Sequence, residues 1–362
     1  MTADDALRVD VIDVERVQTG AAGAAGGGGG APGPARSDLA VVRRMSALLN
    51  RPQAGLVIAL GILVLYLAAT QERFIAADNL SNMMRTNVVL FIVAIGATPV
   101  LIVGVIDLSP GAVLALTTIS YGTVVGTVPD PLAVPLAIIA ASLAVMLING
   151  LPVARFGMEP FVVTLATSVL LRGIANLTTK GQTKILNDIP VATALADRSV
   201  GPVPIAFFVA GALTLLFGWI LRSTYLGRDI YAVGGNREAA AMSGIPVRRV
   251  MIIAYGMLGA CAGLAAVVQA GRLASAAPSA GIGLELLALA AVLLGGTRLG
   301  GGQGTIFGTV VGVAFLAVVD NGLTISGVSQ FWKDVVTGAV LFAAVVLARL
   351  QRHLQGAGGG PS

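Results

Sequence analysis

The sequence predicts an all-α, polytopic membrane protein with about ten transmembrane helices, and three observations lead there. The chain of 362 residues is 56% apolar and only 11% charged, with a mean hydropathy of +0.88, whereas a soluble domain is about one-quarter charged. Several apolar runs reach the roughly 18–20 residues that cross a bilayer as a helix. These runs are continuous and lack the two-residue alternation of a membrane barrel strand.

Taken in order, residues 1–50 come first as a Gly/Ala-rich tail, with a low-complexity run from Ala21 to Arg36. Such a stretch buries too little apolar surface to offset its ordering entropy, so a disordered cytoplasmic tail is expected. The first apolar run begins near Ala54 without the short basic start of a cleaved signal peptide. Ten spans follow, at roughly 54–70, 87–106, 109–128, 131–153, 158–178, 203–221, 250–270, 285–298, 304–320 and 334–349. Two pairs are joined so tightly, at Asp107 and at Pro131, that a broken or re-entrant helix is the alternative there. Residues 51–350 thus make one transmembrane domain, and 351–362 a flexible C-terminal tail.

Orientation follows from the basic residues. With the N-terminus in the cytoplasm, inside segments carry Arg43, Arg44, Arg51, Arg155, Arg222, Arg228, Arg237, Arg248, Arg249, Arg298, Arg349 and Arg352. Outside segments carry Arg73, Arg85, Lys180, Lys184, Arg198, Arg272 and Lys333. The excess inside places both termini in the cytoplasm, and an even number of spans satisfies this. The longest outer loop is then about 179–202. The net charge of +5 is spread over the ends of apolar runs and forms no single patch, which argues for topology rather than nucleic acid.

Among the connections, the polar stretch 222–249 has start and stop signals of its own. Asn236 can cap a short Ala-rich helix from Arg237 to Ser243, Gly244 can end it, and Pro246 prevents its continuation. About two turns of helix are unstable alone in water and need a surface to pack on. Ala239 and Ala240 would let a partner approach the backbone, and Glu238 at the helix start is available for an ion pair. The alternative is a merely solvated cytoplasmic helix.

Several chemistries are excluded. The three lysines, Lys180, Lys184 and Lys333, do not follow a glycine, so the chain has no Walker A loop with which to hold ATP. The Gly295-Gly296 and Gly300-Gly301-Gly302 steps are better read as close packing or a tight turn. Cys261 is the single cysteine, which rules out an intramolecular disulfide and a cysteine metal cluster, and His353 near the C-terminus reads as solvated. Ionisable groups in or against the spans are few: Asp107, Arg172, Arg272, Glu285 and Asp320. Such groups point to function by default, although most fall at span ends where solvation explains them. Asp107 stands before Ser109-Pro110-Gly111, a sequence suited to opening a new helix, so it either caps that helix or lines a path or gate.

Together these stretches resemble the permease subunits of bacterial ATP-binding-cassette importers for monosaccharides, of the ribose, xylose and galactose type. Three blocks carry the likeness: GVIDLSPGAVLAL from Gly104, TYLGRDIYAVGGNREAAAMSG from Thr224, and GRLASAAPSAGIGLELLALAAVLLGGTRLGGGQGTIFGT from Gly271. A last stretch, from Asn321-Gly322-Leu323 to Phe331-Trp332, is similar too, and the likeness covers about residues 55–350. The chain departs from the family pattern at Val105, where Gly is common, and at Pro110.

The resemblance implies a non-enzymatic membrane subunit in the bacterial cytoplasmic membrane. It would work with a second permease copy, identical or not, ATPase subunits and an extracytoplasmic sugar-binding protein or lipoprotein. It would bind no cofactor itself, since ATP and Mg belong to the ATPase. Arg237–Ser243 would be the coupling helix, with Gly227, Arg228, Asn236, Arg237, Glu238, Ala239, Ala240 and Gly244 forming the coupling segment. Asp107, Ser109, Asn87, Glu285 and Phe331 would belong to the translocation path or gate, although Phe331 and Trp332 also suit an interfacial aromatic belt. Rival readings are a permease for nucleosides or branched-chain amino acids, and an ion-coupled secondary transporter. The latter needs a titratable group at mid-membrane.

Overall fold

The computed structural model describes residues 53–125, 132–187 and 189–356. The expected N-terminal tail and the Pro131 junction lie outside these residues. Each expected apolar run is a helix: α1 Ala54–Thr70, α2 Ala77–Ile102, α3 Pro110–Val124, α4 Ala133–Phe156 and α5 Pro160–Thr179. A short α6, Pro190–Asp197, follows, then α7 Ile205–Ser223, α8 Tyr225–Gly235 and α9 Arg237–Met242. The chain continues through α10 Val247–Leu273, α11 Leu284–Leu294, α12 Ile306–Ile325 and α13 Gln330–Gly356. Among the described residues six helices, α2, α4, α5, α7, α10 and α12, are long and apolar enough to cross a membrane. The protein is thus an all-α, multi-pass membrane protein.

Burial separates the centre of this bundle from its lipid face. Within their apolar windows α2 is 78% and α10 67% buried, against 22% for both α5 and α7. Apolar residues are no better off against protein than against lipid, so close backbone packing must hold the inner helices together. In α10 this is done by Gly259 and Gly263, four residues apart on one face. A β-carbon on Gly259 would stand 2.7 Å from Leu143 Cα, and one on Gly263 2.7 Å from Ile139 Cα, so α4 lies directly on the glycine stripe. Hydroxyls and amides add interhelical bonds: Thr98 of α2 meets Thr309 of α12 at 2.7 Å, and Asn79 and Asn321 exchange two amide bonds at 3.1 and 2.9 Å.

Boundaries differ from expectation where polar residues were helical after all. The second span begins at Ala77 rather than 87, because Asp78, Asn79, Asn82 and Arg85 lie inside α2. At the C-terminus α13 runs to Gly356, past the 350 limit expected for the domain, since Gln351, Arg352 and Leu354 continue a helix readily. The eighth span is short: α11 has 11 residues and is preceded by a non-helical approach. That approach, together with the connection from 180 to 204, carries the only extended structure among the described residues, with Lys184–Ile185 pairing Ser275–Ala276 and Ser199–Val200 pairing Val203–Pro204, both antiparallel.

The junction after α2 is a break, as the Asp107 alternative anticipated. The chain leaves helical geometry at Gly104, whose φ of +84° favours glycine, and α3 starts at Pro110.

Candidate functional site

Two helices, not one, occupy the polar stretch. Thr224 opens α8 by accepting a bond from Gly227 N at 3.2 Å, and the spacing of Leu226, Ile230 and Val233 turns one apolar face inward, with Ile230 and Val233 fully buried. That spacing is the sequence signal for α8 that the sequence reading passed over. After α8, Asn236 Oδ1 accepts from Ala239 N at 3.0 Å and caps α9. Gly244 ends the turn at φ +82°, with Ile245 N donating to Ala240 O at 3.0 Å, the closing bond of a Schellman stop.

The two helices distribute the expected coupling residues unevenly. Arg228, Arg237, Glu238, Ala239 and Met242 are exposed, Met242 to 90%, and Glu238 makes no ion pair among the described residues. Arg228 lies over the ring of Tyr225 at 4.3 Å. Ala240, in contrast, is buried in the protein's own core, so Ala239 alone of the two alanines faces outward. Gly227 is also internal: a β-carbon there would overlap the carbonyl oxygens of Ile220 and Leu221, and the residue serves the turn from α7 to α8.

This pair of helices is tied to the break after α2. A β-carbon on Gly234 would overlap the Ile102 carbonyl oxygen, the same oxygen that accepts from Gly302 N at 2.8 Å. Arg237 Nη2 donates to Gly104 O at 3.3 Å, and Tyr231 donates to Gly304 O at 2.8 Å. The Gly300–Gly302 turn is therefore the packing element expected of it, wedged between α8 and the end of α2.

Within the break Asp107 is tied to Ser109, the N-cap residue of α3. Its Oδ1 accepts from Ser109 N at 2.7 Å and Ser109 Oγ at 2.6 Å, which holds the residue that precedes α3. Its Oδ2 is buried without a hydrogen-bond partner. Ser109 is fully buried and also accepts from Asn149 Nδ2 of α4 at 2.9 Å, while Leu108 N donates to Thr164 Oγ1 of α5 at 3.2 Å. Asn149 is absent from the residues expected at the path; a lone amide in the apolar run of α4 is its signal in the sequence.

Three cavities border the break and the residues around it. One, of about 300 Å3, is lined by Asn87, Gln269, Arg272, Leu284 and Asp320, among others. Beneath it, closed off where Gly111 packs on Gly281, a space of about 20 Å3 is lined by Asp107, Pro110 and Glu285. Glu285 Oε2 is buried there without a hydrogen-bond partner, and the space is of a size for one water between the two carboxylates. Ile106 then borders a third cavity of about 420 Å3 that reaches Gly104, Asn236 and Arg237. Phe331, 82% exposed, lines none of the three and stands on the outer surface beside Trp332. Arg172 donates to Pro278 O and Ala280 O, each at 2.7 Å, and so holds the approach to α11.

Residues 79–345 match the family described as branched-chain amino acid transport system / permease component. The ribose import permease protein of Bacillus subtilis (strain 168) is 39% identical over 301 residues, covering 81% of this chain and 91% of the relative. The ribose import permease protein of Escherichia coli (strain K12) is 36% identical over 301 residues, with coverage of 80% and 91%. The galactose/methyl galactoside import permease protein of the same strain is 30% identical over 335 residues, with coverage of 86% and 98%. No solved structure matches the chain.

Proposed function

Because this chain belongs to the branched-chain amino acid transport system / permease component family, we propose that it is the membrane subunit of an ATP-binding-cassette importer that moves a monosaccharide inward. It is a transporter subunit and not an enzyme. The observation that carries the reading is the exposed face of α9, joined through Arg237 and Gly234 to the break that holds Asp107. A partner that rocks α8 and α9 would thereby move the start of α3, which is how a coupling helix transmits nucleotide-driven closure.

In this reading the ten apolar helices all cross the bacterial cytoplasmic membrane, both termini lie in the cytoplasm, and 51–350 is the transport domain. A second permease copy, an ATPase and an extracytoplasmic sugar-binding protein complete the machine; ATP and Mg stay on the ATPase. Glu238, Arg237 and Met242 meet the ATPase, Asn236 and Gly244 set the ends of the coupling helix, and Asn87, Asp107 and Glu285 line the route. The sugar is preferred because the relatives that match over most of their length are named for ribose and galactose. The family description favours a second reading, import of a branched-chain amino acid.

The test is ATP-dependent uptake by the reconstituted importer, with D-ribose, D-galactose and L-leucine compared. Saturable uptake of a sugar supports the proposal, and uptake of leucine alone replaces it with the second reading.

A further inference from the structure

We propose that the cavity of about 300 Å3 is a binding site for one neutral polyhydroxy molecule, built inside a single subunit by Asn87, Gln269, Arg272 and Asp320. The inference rests on the reading of the chain as a sugar permease and adds to it the place and the chemistry of a resting station. Three helices supply the polar groups: α2 gives Asn87, α10 gives Gln269 and Arg272, and α12 gives Asp320. Gln269, Arg272 and Asp320 lie near the C-terminal ends of α10 and α12, and Asn87 in the half of α2 away from the Ile102 end that meets α8, so the site faces the side from which an imported solute comes. Its volume is at the lower end of the roughly 300–1,000 Å3 of small-molecule sites.

The polar groups are held but not used up. Gln269 and Arg272 are three residues apart on one face of α10, and Gln269 Oε1 accepts from Arg272 Nη2 at 3.4 Å. This fixes the guanidinium while its Nε remains buried with no hydrogen-bond partner. The other guanidinium N–H groups can donate to a ligand oxygen in the cavity. Asp320 is engaged only loosely: Lys333 Nζ stands 3.8 Å from its Oδ1 and makes its short bond, 2.6 Å, to Thr324 Oγ1 instead. The Asn87 amide nitrogen donates to Met83 O at 3.0 Å, which leaves its oxygen for another donor.

One chemistry answers this set. A hydroxyl both donates and accepts, so neighbouring hydroxyls of a sugar can accept from Arg272 and donate to Asp320 and Asn87 together. A simple anion would confront Asp320, and a simple cation Arg272. A zwitterionic amino acid would satisfy Arg272 and Asp320 but leave the two amides, Asn87 and Gln269, with apolar side chain. Leu284 and Leu316 line the same cavity and give the C–H face of a sugar an apolar surface to lie on. Below the site the Gly111–Gly281 contact shuts the way to Asp107, so a bound molecule waits there until the break moves.

The test uses the whole importer in proteoliposomes. Thr86 lines the cavity and is exposed, and the single native cysteine is buried, so Thr86→Cys can be labelled with a methanethiosulfonate reagent over a low background. D-ribose, D-allose and D-galactose are offered as protecting agents, with L-leucine beside them. The expected result is that at least one sugar slows labelling, and that Arg272→Gln raises the half-protecting concentration roughly tenfold, as loss of one charge-assisted hydrogen bond does. Gln269→Ala, which leaves the cation in place, serves as a second variant if Arg272→Gln does not assemble; it should weaken protection in the same direction. Protection by leucine and not by any sugar overturns the assigned chemistry. No protection by any of them, in vesicles that still import sugar with ATP, overturns the site and leaves the proposed function standing. The uptake assay on the same vesicles reads that function separately.

Discussion

At the residue scale two glycines separate two physical reasons for having no side chain. Gly244 has φ +82° and open space around it, so Gly244→Ala meets only the left-handed backbone penalty of about 1 kcal/mol. Gly234 lies inside α8, and a β-carbon there would collide with the Ile102 carbonyl; Gly234→Ala forces backbones apart and should cost about 1–3 kcal/mol. Thermal unfolding of the purified importer ranks the two, and an equal loss for both would contradict the contact between α8 and the break. Asp107 yields a similar comparison. Asp107→Asn keeps an oxygen for the two bonds from Ser109, whereas Asp107→Leu removes both and should lower stability by about 1–3 kcal/mol more. If the leucine variant melts with the asparagine variant, Asp107 does not hold the start of α3. The capping step was legible in the residues themselves, but its reach to Asn149 and Thr164 was not, because those partners come from other helices.

At the scale of elements the glycine pair of α10 predicts a position-specific effect. Gly259→Leu drives a side chain into Leu143 and Met146 of α4 and should abolish a monodisperse importer on gel filtration. Gly218→Leu in α7, where nothing lies within 4 Å of a β-carbon, should leave it intact. Comparable aggregation of both would remove the glycine stripe as the basis of the α4–α10 contact. The α8–α9 pair bears on coupling. Glu238→Lys reverses the exposed charge at the start of α9 without touching the core, so the permease should stay in the membrane while ATPase recovery on pull-down falls several-fold. Unchanged recovery would take the coupling role away from α9. Here the sequence was partly legible: Asn236, Arg237 and Gly244 announced α9 through capping, and only packing could tell that Ala240 and Gly227 turn inward. A helix of that length has too few residues for periodicity to assign its faces.

For the whole molecule, composition announced a helical membrane protein and the apolar runs located its helices, since lipid allows few other solutions for a backbone. The departures came where polar residues extend a helix, as at the start of α2, or where an apolar run is shortened by its approach, as at α11. The cavities were the least legible feature. Asn87, Gln269, Arg272 and Asp320 are far apart in the chain, and their meeting depends on how α2, α10 and α12 pack. In the proposed function, transport through these cavities is driven by ATP hydrolysed on another subunit and coupled through α9. The most direct measurement is sugar uptake into proteoliposomes holding this chain with its ATPase and binding protein, with and without internal ATP and with proton and sodium gradients collapsed. The account predicts uptake that requires ATP and the ATPase and persists without the gradients. Uptake that continues without the ATPase and stops when a gradient is collapsed would contradict it.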